Sequence, residues 1–140
     1  MARIELLESR ASITDLVHRY AKNIAAGRFE DCAPLFTEHA TFEVRQATPG
    51  NPESVRTLTK LVGVGAILSY VTRSGAGGVC PMIHNLLIDV SGHEATSSCV
   101  MAATVWANGQ VIVGEYEDSY RREGDWRFIS RVYTILRQPA

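Results

Sequence analysis

The chain has 140 residues, of which 46% are hydrophobic and 21% are charged, and its formal net charge is -1. This length and composition fit a single globular domain over residues 1–140. The charges form no basic stripe and the longest apolar run, residues 61–71, is too short to span a bilayer, so we expect neither a nucleic-acid nor a membrane partner.

The cysteine and histidine patterns indicate the cellular compartment of the protein and whether it binds a metal or cofactor. Cys32, Cys80 and Cys99 are far apart in the sequence and form neither a disulfide framework nor a CxxC pair. Glutamates interrupt the apolar residues near the N-terminus, so no signal-peptide core is present. No two histidines have the spacing of metal ligands on a helix, and no glycine motif for phosphate binding occurs. We expect a cytoplasmic protein with no metal and no cofactor.

The N-terminal part is predicted to be helical. Ser12 and Asp15 have capping-box spacing, and residues 3–10 form either a preceding turn or an extension of the helix. Gly27 is predicted to end the helix, and a short second helix follows over residues 29–36. The buried stripe shows the i, i+3, i+4, i+7 spacing of an amphipathic helix: Ile13, Leu16, Val17, Tyr20, Ala21 and Ile24.

The middle of the chain alternates strand, loop and helix signals. Residues 40–45 alternate and are rich in β-formers, which predicts a first strand. Prolines and a glycine in residues 46–54 predict a loop. Residues 63–72 are predicted as a third helix, and the glycine-rich residues 75–78 break the chain.

The last 60 residues predict an antiparallel meander. Asn108-Gly109 is the strongest two-residue hairpin signal in the sequence. Helices followed by a meander indicate an α+β fold, in which a curved sheet and the helices enclose a pocket for a small molecule. The four predicted strands are residues 81–90, 94–106, 110–121 and 126–137.

His84 is the best candidate for chemistry. Strict alternation places it on one strand face with Met82 and Leu86, which predicts that it points into the apolar interior. A neutral imidazole there can act as a general base. The alternative is a core histidine that hydrogen-bonds a backbone carbonyl or Tyr20.

Tyr20 lies on the buried stripe of the first helix, and its hydroxyl is predicted either to contact a ligand or to be satisfied within the core. The same two alternatives hold for the predicted wall of the pocket. That wall consists of aromatic and soft side chains: Phe36, Phe42, Met82, Met101, Tyr116 and Tyr133.

Four segments together resemble SnoaL-like domains of the NTF2-like superfamily, and the match covers nearly the whole chain. They are residues 13–21, 35–42, 83–90 and 116–122. The resemblance implies an NTF2-like cone, in which N-terminal helices pack on a curved mixed or antiparallel sheet that encloses a pocket. It also implies a homodimer or higher homo-oligomer, because relatives commonly associate through the sheet.

The resemblance implies several functions, since this superfamily hosts enzymes and non-catalytic subunits. His84 matches the histidine base of scytalone dehydratase and hexachlorocyclohexane dehydrochlorinase, but Ala25 stands where those enzymes have their aspartate. The first hypothesis is a cofactor-independent lyase or isomerase that acts on a hydrophobic cyclic substrate, with His84 as base and Tyr20 as polar contact. The alternatives are a non-catalytic domain for a lipophilic ligand and a small subunit of a ring-hydroxylating dioxygenase assembly.

Overall fold

The computed structural model describes residues 1–138. Two α-helices, one 3₁₀ helix and six long strands follow one another along this part of the chain. The helical elements are α1 (Arg3–Ala26), the 3₁₀ helix (Phe29–Leu35) and α2 (Val64–Gly75). The strands are β1 (Phe36–Thr48), β2 (Asn51–Val62), β3 (Val79–Ser91), β4 (Glu94–Val105), β5 (Val111–Glu123) and β6 (Asp125–Arg137).

Helix α1 follows the predicted apolar stripe. The stripe residues are buried, and Gly27 ends the helix in the left-handed conformation with φ 72°. The Arg28 N–H donates to the Asn23 carbonyl at 2.9 Å, which satisfies one of the last carbonyls of the helix. The helix begins at Arg3, so residues 3–10 are an extension and the predicted cap at Ser12 is wrong.

The six strands form one mixed sheet in the order β2-β1-β6-β5-β4-β3. The predicted meander is confirmed, since β3 to β6 pair antiparallel in sequence order. The only parallel contact within residues 1–138 joins β1 to β6. Because β2 and β3 are both edges, the sheet is open. The helices and the inner face of the sheet share one apolar core, which confirms the α+β architecture.

Strand β2 is the main element that the sequence analysis missed. The predicted loop over residues 46–54 is wrong, because β1 runs on to Thr48 and β2 starts at Asn51 after a tight turn. Nearly every residue of β2 is exposed, so its sequence lacks an alternating apolar face. Pro52 is tolerated because β2 is an edge strand.

A β-bulge in β3 changes which side chains face the core. His84 pairs with Val100 and Leu87 pairs with Ser98, so β3 has one extra residue between these pairs. Asn85 occupies this bulge with φ 55°. Ile83 and Leu86 therefore both pack against the core.

Met82 and His84 lie on the opposite, outward face of the sheet, and both are exposed. The predicted inward direction of these two side chains is therefore wrong. Strict alternation from Leu86 back to His84 fails because the bulge inserts a residue between them.

Candidate ligand-binding site

A cavity of about 280 Å³ lies between the two α-helices and the inner face of the sheet. Its wall is mostly aliphatic and aromatic, and three glycines contribute backbone. The lining residues are Tyr20, Ile24, Phe42, Tyr70, Val71, Ser74, Gly75, Gly77, Gly78, Val79, Pro81, Met101, Ala103, Val105, Ile112, Tyr116, Tyr133 and Ile135.

The predicted wall residues divide between this pocket, the core and the surface. Four of the six line the cavity, namely Phe42, Met101, Tyr116 and Tyr133, and Tyr20 lines it with them. The fifth, Phe36, lies deeper in the core, since the centre of its ring is 5.0 Å from that of Phe128 and 6.1 Å from that of Tyr20. Met82, on the outward face, is 51% exposed.

Strand β3 contributes different residues to the pocket from those predicted. Val79 and Pro81 line the cavity, whereas the lining drawn from residues 1–138 does not include His84. Ala25, at the position that the resemblance assigns to an aspartate, is half-buried on α1 next to the lining residue Ile24. In the part of the chain that the structure describes, the pocket wall therefore contains neither an imidazole nor a carboxylate.

The polar side chains of the wall are four tyrosines and Ser74. Ser74 Oγ donates to the Tyr70 carbonyl at 3.0 Å, so this hydroxyl is used within α2. Burial raises the pKa of Tyr20, Tyr116 and Tyr133 well above the ordinary tyrosine value, and it also raises the pKa of Tyr70. These phenols stay protonated at neutral pH and can donate hydrogen bonds to an acceptor on a ligand.

A buried ion pair lies behind the tyrosines and is not among the site residues predicted from the sequence. Arg131 Nε donates to Asp118 Oδ1 at 2.8 Å, and Arg131 Nη2 donates to Asp118 Oδ2 at 3.2 Å. Both side chains are 0% exposed. The Tyr120 hydroxyl lies 3.5 Å from Asp118 Oδ2 and 2.7 Å from Ser97 Oγ. These contacts hold the carboxylate in a fixed orientation.

The guanidinium of Arg131 also contacts aromatic faces. Its Cζ atom lies 3.6 Å from the ring centre of Tyr116, 4.4 Å from that of Tyr20 and 4.7 Å from that of Phe128. The third nitrogen, Nη1, is buried and makes no hydrogen bond within residues 1–138. The rings supply part of the missing interaction through cation–π contact.

The strand pattern carried a signal for this pair. Asp118 alternates with Tyr116 on one predicted strand, and Arg131 alternates with Tyr133 on the next. Because Tyr116 and Tyr133 are both predicted to line the pocket, the same alternation places the two charges on that face of the sheet. In the structure Asp118 and Arg131 pair directly across the β5–β6 ladder.

Cys32 and Cys99 are buried thiols near the pair. Burial raises the pKa of each thiol to about 11, although the positive charge of Arg131 acts in the opposite direction. Both thiols are therefore expected to stay protonated at neutral pH. Among residues 1–138 there is no group of three or more side chains that could hold a metal ion. No helix in the described chain has the length and apolar character needed to cross a membrane.

A family model described as a SnoaL-like domain matches residues 5–132. No curated protein matches the chain.

Several solved structures are similar, at identities that show the fold alone. An NTF2-like protein with a cystatin-like fold from Novosphingobium aromaticivorans is 23% identical with a TM-score of 0.75, covering 99% of this chain and 88% of its own. A proposed scytalone dehydratase from the same organism is 22% identical with a TM-score of 0.75, and the match covers 99% of this chain and 91% of the dehydratase chain. The beta subunit of a proposed aromatic-ring-hydroxylating dioxygenase, also from that organism, is 20% identical with a TM-score of 0.70. The match covers 96% of this chain and 94% of the subunit.

Proposed function

Given that the chain belongs to the SnoaL-like domain family, we propose that it binds a small, mostly apolar, ring-containing molecule without transforming it. The composition of the pocket wall carries this proposal. Within residues 1–138, its polar side chains are phenols and one serine, and none of these is a base at neutral pH. An apolar cavity with a few hydroxyl donors is typical of a binding site for a small lipophilic molecule.

The ligand is expected to carry an oxygen that accepts a hydrogen bond. The protonated hydroxyls of Tyr20 and Tyr116 are donors, and the positive charge of Arg131 lies directly behind both rings. A carbonyl or hydroxyl oxygen would therefore be bound at this end of the pocket. The apolar body of the ligand would lie against side chains such as Met101 and Ile112.

Two neighbouring alanines on β4 allow a matched test. Ala103 lines the pocket, whereas Ala102 is half-buried on the outward face, where it pairs with Met82 and Val113. Ala103→Leu is expected to weaken binding of phenol, measured by titration calorimetry, because the larger side chain takes up part of the cavity. Ala102→Leu is expected to leave the affinity unchanged.

Thermal melting must show that both alanine variants are folded. Equal phenol affinity in the two folded variants would contradict binding in this pocket. Failure of the wild-type protein to bind phenol, cyclohexanone or any other small cyclic probe would contradict the proposed function itself.

A lyase or isomerase acting on a cyclic substrate is the alternative function. The charge of Arg131 behind Tyr20 and Tyr116 favours it, since a carbonyl bound there would be polarised. The proposal of His84 as base requires a substrate that reaches the outward face, because His84 is exposed there. Product formed by the wild type and lost in His84→Ala would favour catalysis over binding alone.

We also propose self-association through the outward face of the sheet. Met82 and Leu87 are 51% and 71% exposed on this face, and the half-buried Val100 lies beside them on β4. Burying such side chains against a second copy would remove apolar surface from water. Light scattering should give a homodimer or larger homo-oligomer, and the double variant Met82→Glu/Leu87→Glu should be monomeric.

A small subunit of a dioxygenase assembly is a further alternative for the same face. The similarity to the dioxygenase beta subunit supports it at the level of fold. A monomeric wild-type protein that joins a larger oxygenase subunit would favour this alternative over self-association.

A further inference from the structure

The exposure of the lining residues locates the mouth of the pocket. Side chains such as Tyr20, Phe42 and Met101 are buried at the inner end. Ser74 and Gly77 are exposed, and Val79 is half-buried. The pocket therefore opens where α2 ends and β3 begins.

Trp106 lies at this mouth, in the loop that connects β4 to β5. Its backbone N–H donates to the Gly78 carbonyl at 3.1 Å. The indole lies so close to Gly78 that a Cβ atom there would be 2.7 Å from Trp106 Cδ1. Both Gly78 and the neighbouring Val105 line the pocket. The hydrogen bond holds the Trp106 backbone beside the opening, and its indole lies against Gly78.

The indole nevertheless remains largely in solvent. Trp106 is 60% exposed, whereas the other tryptophan, Trp126, is 6% exposed. A large amphipathic ring that is both positioned and exposed is a common element of binding surfaces. The position of the ring is consistent with a surface that is covered when a ligand is bound.

The mouth differs in composition from the rest of the protein surface. Residues 74–79 and 105–112 contain no ionisable side chain, although 21% of the whole chain is charged. The part of a ligand that passes through this opening would therefore meet backbone, uncharged side chains and the indole.

We propose that Trp106 is a ligand-binding residue and that the ligand extends beyond the pocket. Its ring and oxygen would lie among the tyrosines, and an uncharged apolar tail or second ring would leave through the mouth across the indole. This extension rests on the proposed function of the pocket. It assigns a class of ligand: an elongated molecule with one polar, ring-containing end and one apolar end.

A series of phenols with lengthening tails tests the extension. The affinities of phenol, 4-butylphenol and 4-octylphenol are measured by titration calorimetry for the wild type and for Trp106→Ala. Trp106→Ala is expected to leave the phenol affinity unchanged and to weaken 4-octylphenol binding about tenfold, since only the long tail reaches the indole. Trp106→Phe is expected to retain most of the affinity, because it keeps an aromatic face.

Two further measurements complete the test. Ile4→Ala, an exposed apolar position on α1 outside the pocket lining, should not change any of the three affinities. The indole N–H signal of Trp106 in a nitrogen–proton spectrum, assigned with Trp106→Phe, should shift with 4-octylphenol and not with phenol.

The outcomes separate the two proposals. If all three phenols bind and Trp106→Ala changes none of their affinities, the extension is overturned and the pocket proposal stands. If Trp106→Ala weakens phenol as much as 4-octylphenol, Trp106 has a structural role, which also overturns the extension. If no phenol binds the wild type, both proposals are overturned.

Discussion

Arg131 and Asp118 form a fully buried ion pair with two hydrogen bonds, from Nε at 2.8 Å and from Nη2 at 3.2 Å. The pair lies between the apolar core and the pocket, where the guanidinium also contacts the faces of Tyr20 and Tyr116. Two charges in such a place are tolerated only while both are present. The stability of the domain and the electrostatics of its pocket therefore depend on the same contact.

Asp118→Asn is expected to lower the free energy of unfolding by about 3–5 kcal/mol, because it leaves the Arg131 charge buried without a counter-ion. Urea unfolding followed by circular dichroism measures the change. The neighbouring Glu117 is exposed, so Glu117→Gln is the control and should change stability by less than about 0.5 kcal/mol.

If Asp118→Asn does not fold, the double variant Asp118→Leu/Arg131→Met provides a second test. Replacing both charges with apolar side chains removes the uncompensated charge and is expected to restore folding. An Asp118→Asn protein as stable as the wild type would contradict the role assigned to the pair.

The five tyrosines are expected to lose their protons only when the protein unfolds. Burial is the first cause of the raised pKa of each: Tyr20, Tyr70, Tyr116, Tyr120 and Tyr133. The unfolded chain ionises its tyrosines near pH 10, so the folded state holds these protons more tightly. Stability is therefore fully retained below about pH 10 and is lost as the pH rises above it.

Absorbance at 295 nm, which reports tyrosinate, measures this behaviour. Tyrosinate should appear together with the loss of the circular dichroism signal in an alkaline titration. In concentrated urea, the tyrosines of the unfolded protein should ionise near pH 10. A native protein that forms several tyrosinates near pH 10 without unfolding would contradict the buried positions of these rings.

Gly78→Ala is expected to lower the free energy of unfolding by about 1–3 kcal/mol. Gly78 has φ 85°, and its new Cβ would lie 2.7 Å from Trp106 Cδ1, so both the backbone and the indole must shift. Gly77→Ala is the matched control and should be close to neutral, because no described atom lies within 4 Å of its Cβ. Thermal melting of the two variants measures the difference, and equal melting temperatures would contradict the close contact between Gly78 and Trp106.

His84→Ala is expected to leave both phenol binding and the free energy of unfolding unchanged, within about 0.5 kcal/mol. The reason is that His84 is exposed on the outward face, away from the pocket. Calorimetry and urea unfolding measure the two quantities. A large loss of phenol affinity would contradict the position of His84 outside the site.

The helices and the meander could be predicted because their local signals agree with their environment. Helix α1 buries one face, so its apolar spacing appears in the sequence, and Gly27 ends it in a conformation that favours glycine. The strands β4 and β5 each bury one face, and their alternation is equally clear. The turn at Asn108-Gly109 was placed correctly, although the connecting segment spans residues 106–110 instead of two residues.

The inward direction of His84 could not be predicted from alternation. A single extra residue at Asn85 reverses the face of every side chain before it, and asparagine is a weak signal for a bulge. Strand β2 was missed for a different reason. An edge strand with both faces exposed needs no apolar pattern, and the single proline and the polar residues of β2 are also typical of loops.

The sheet order has a consequence for synthesis. Strand β6 lies in the middle of the sheet, where it joins β1 on one side to β5 on the other. Until β6 has been synthesised, the β1–β2 hairpin and the β3–β5 meander cannot join into one sheet. Each then presents an unpaired strand edge to other chains. The nascent chain is therefore expected to be most prone to aggregation just before β6 emerges, and a chaperone that shields these two edges would act in that interval.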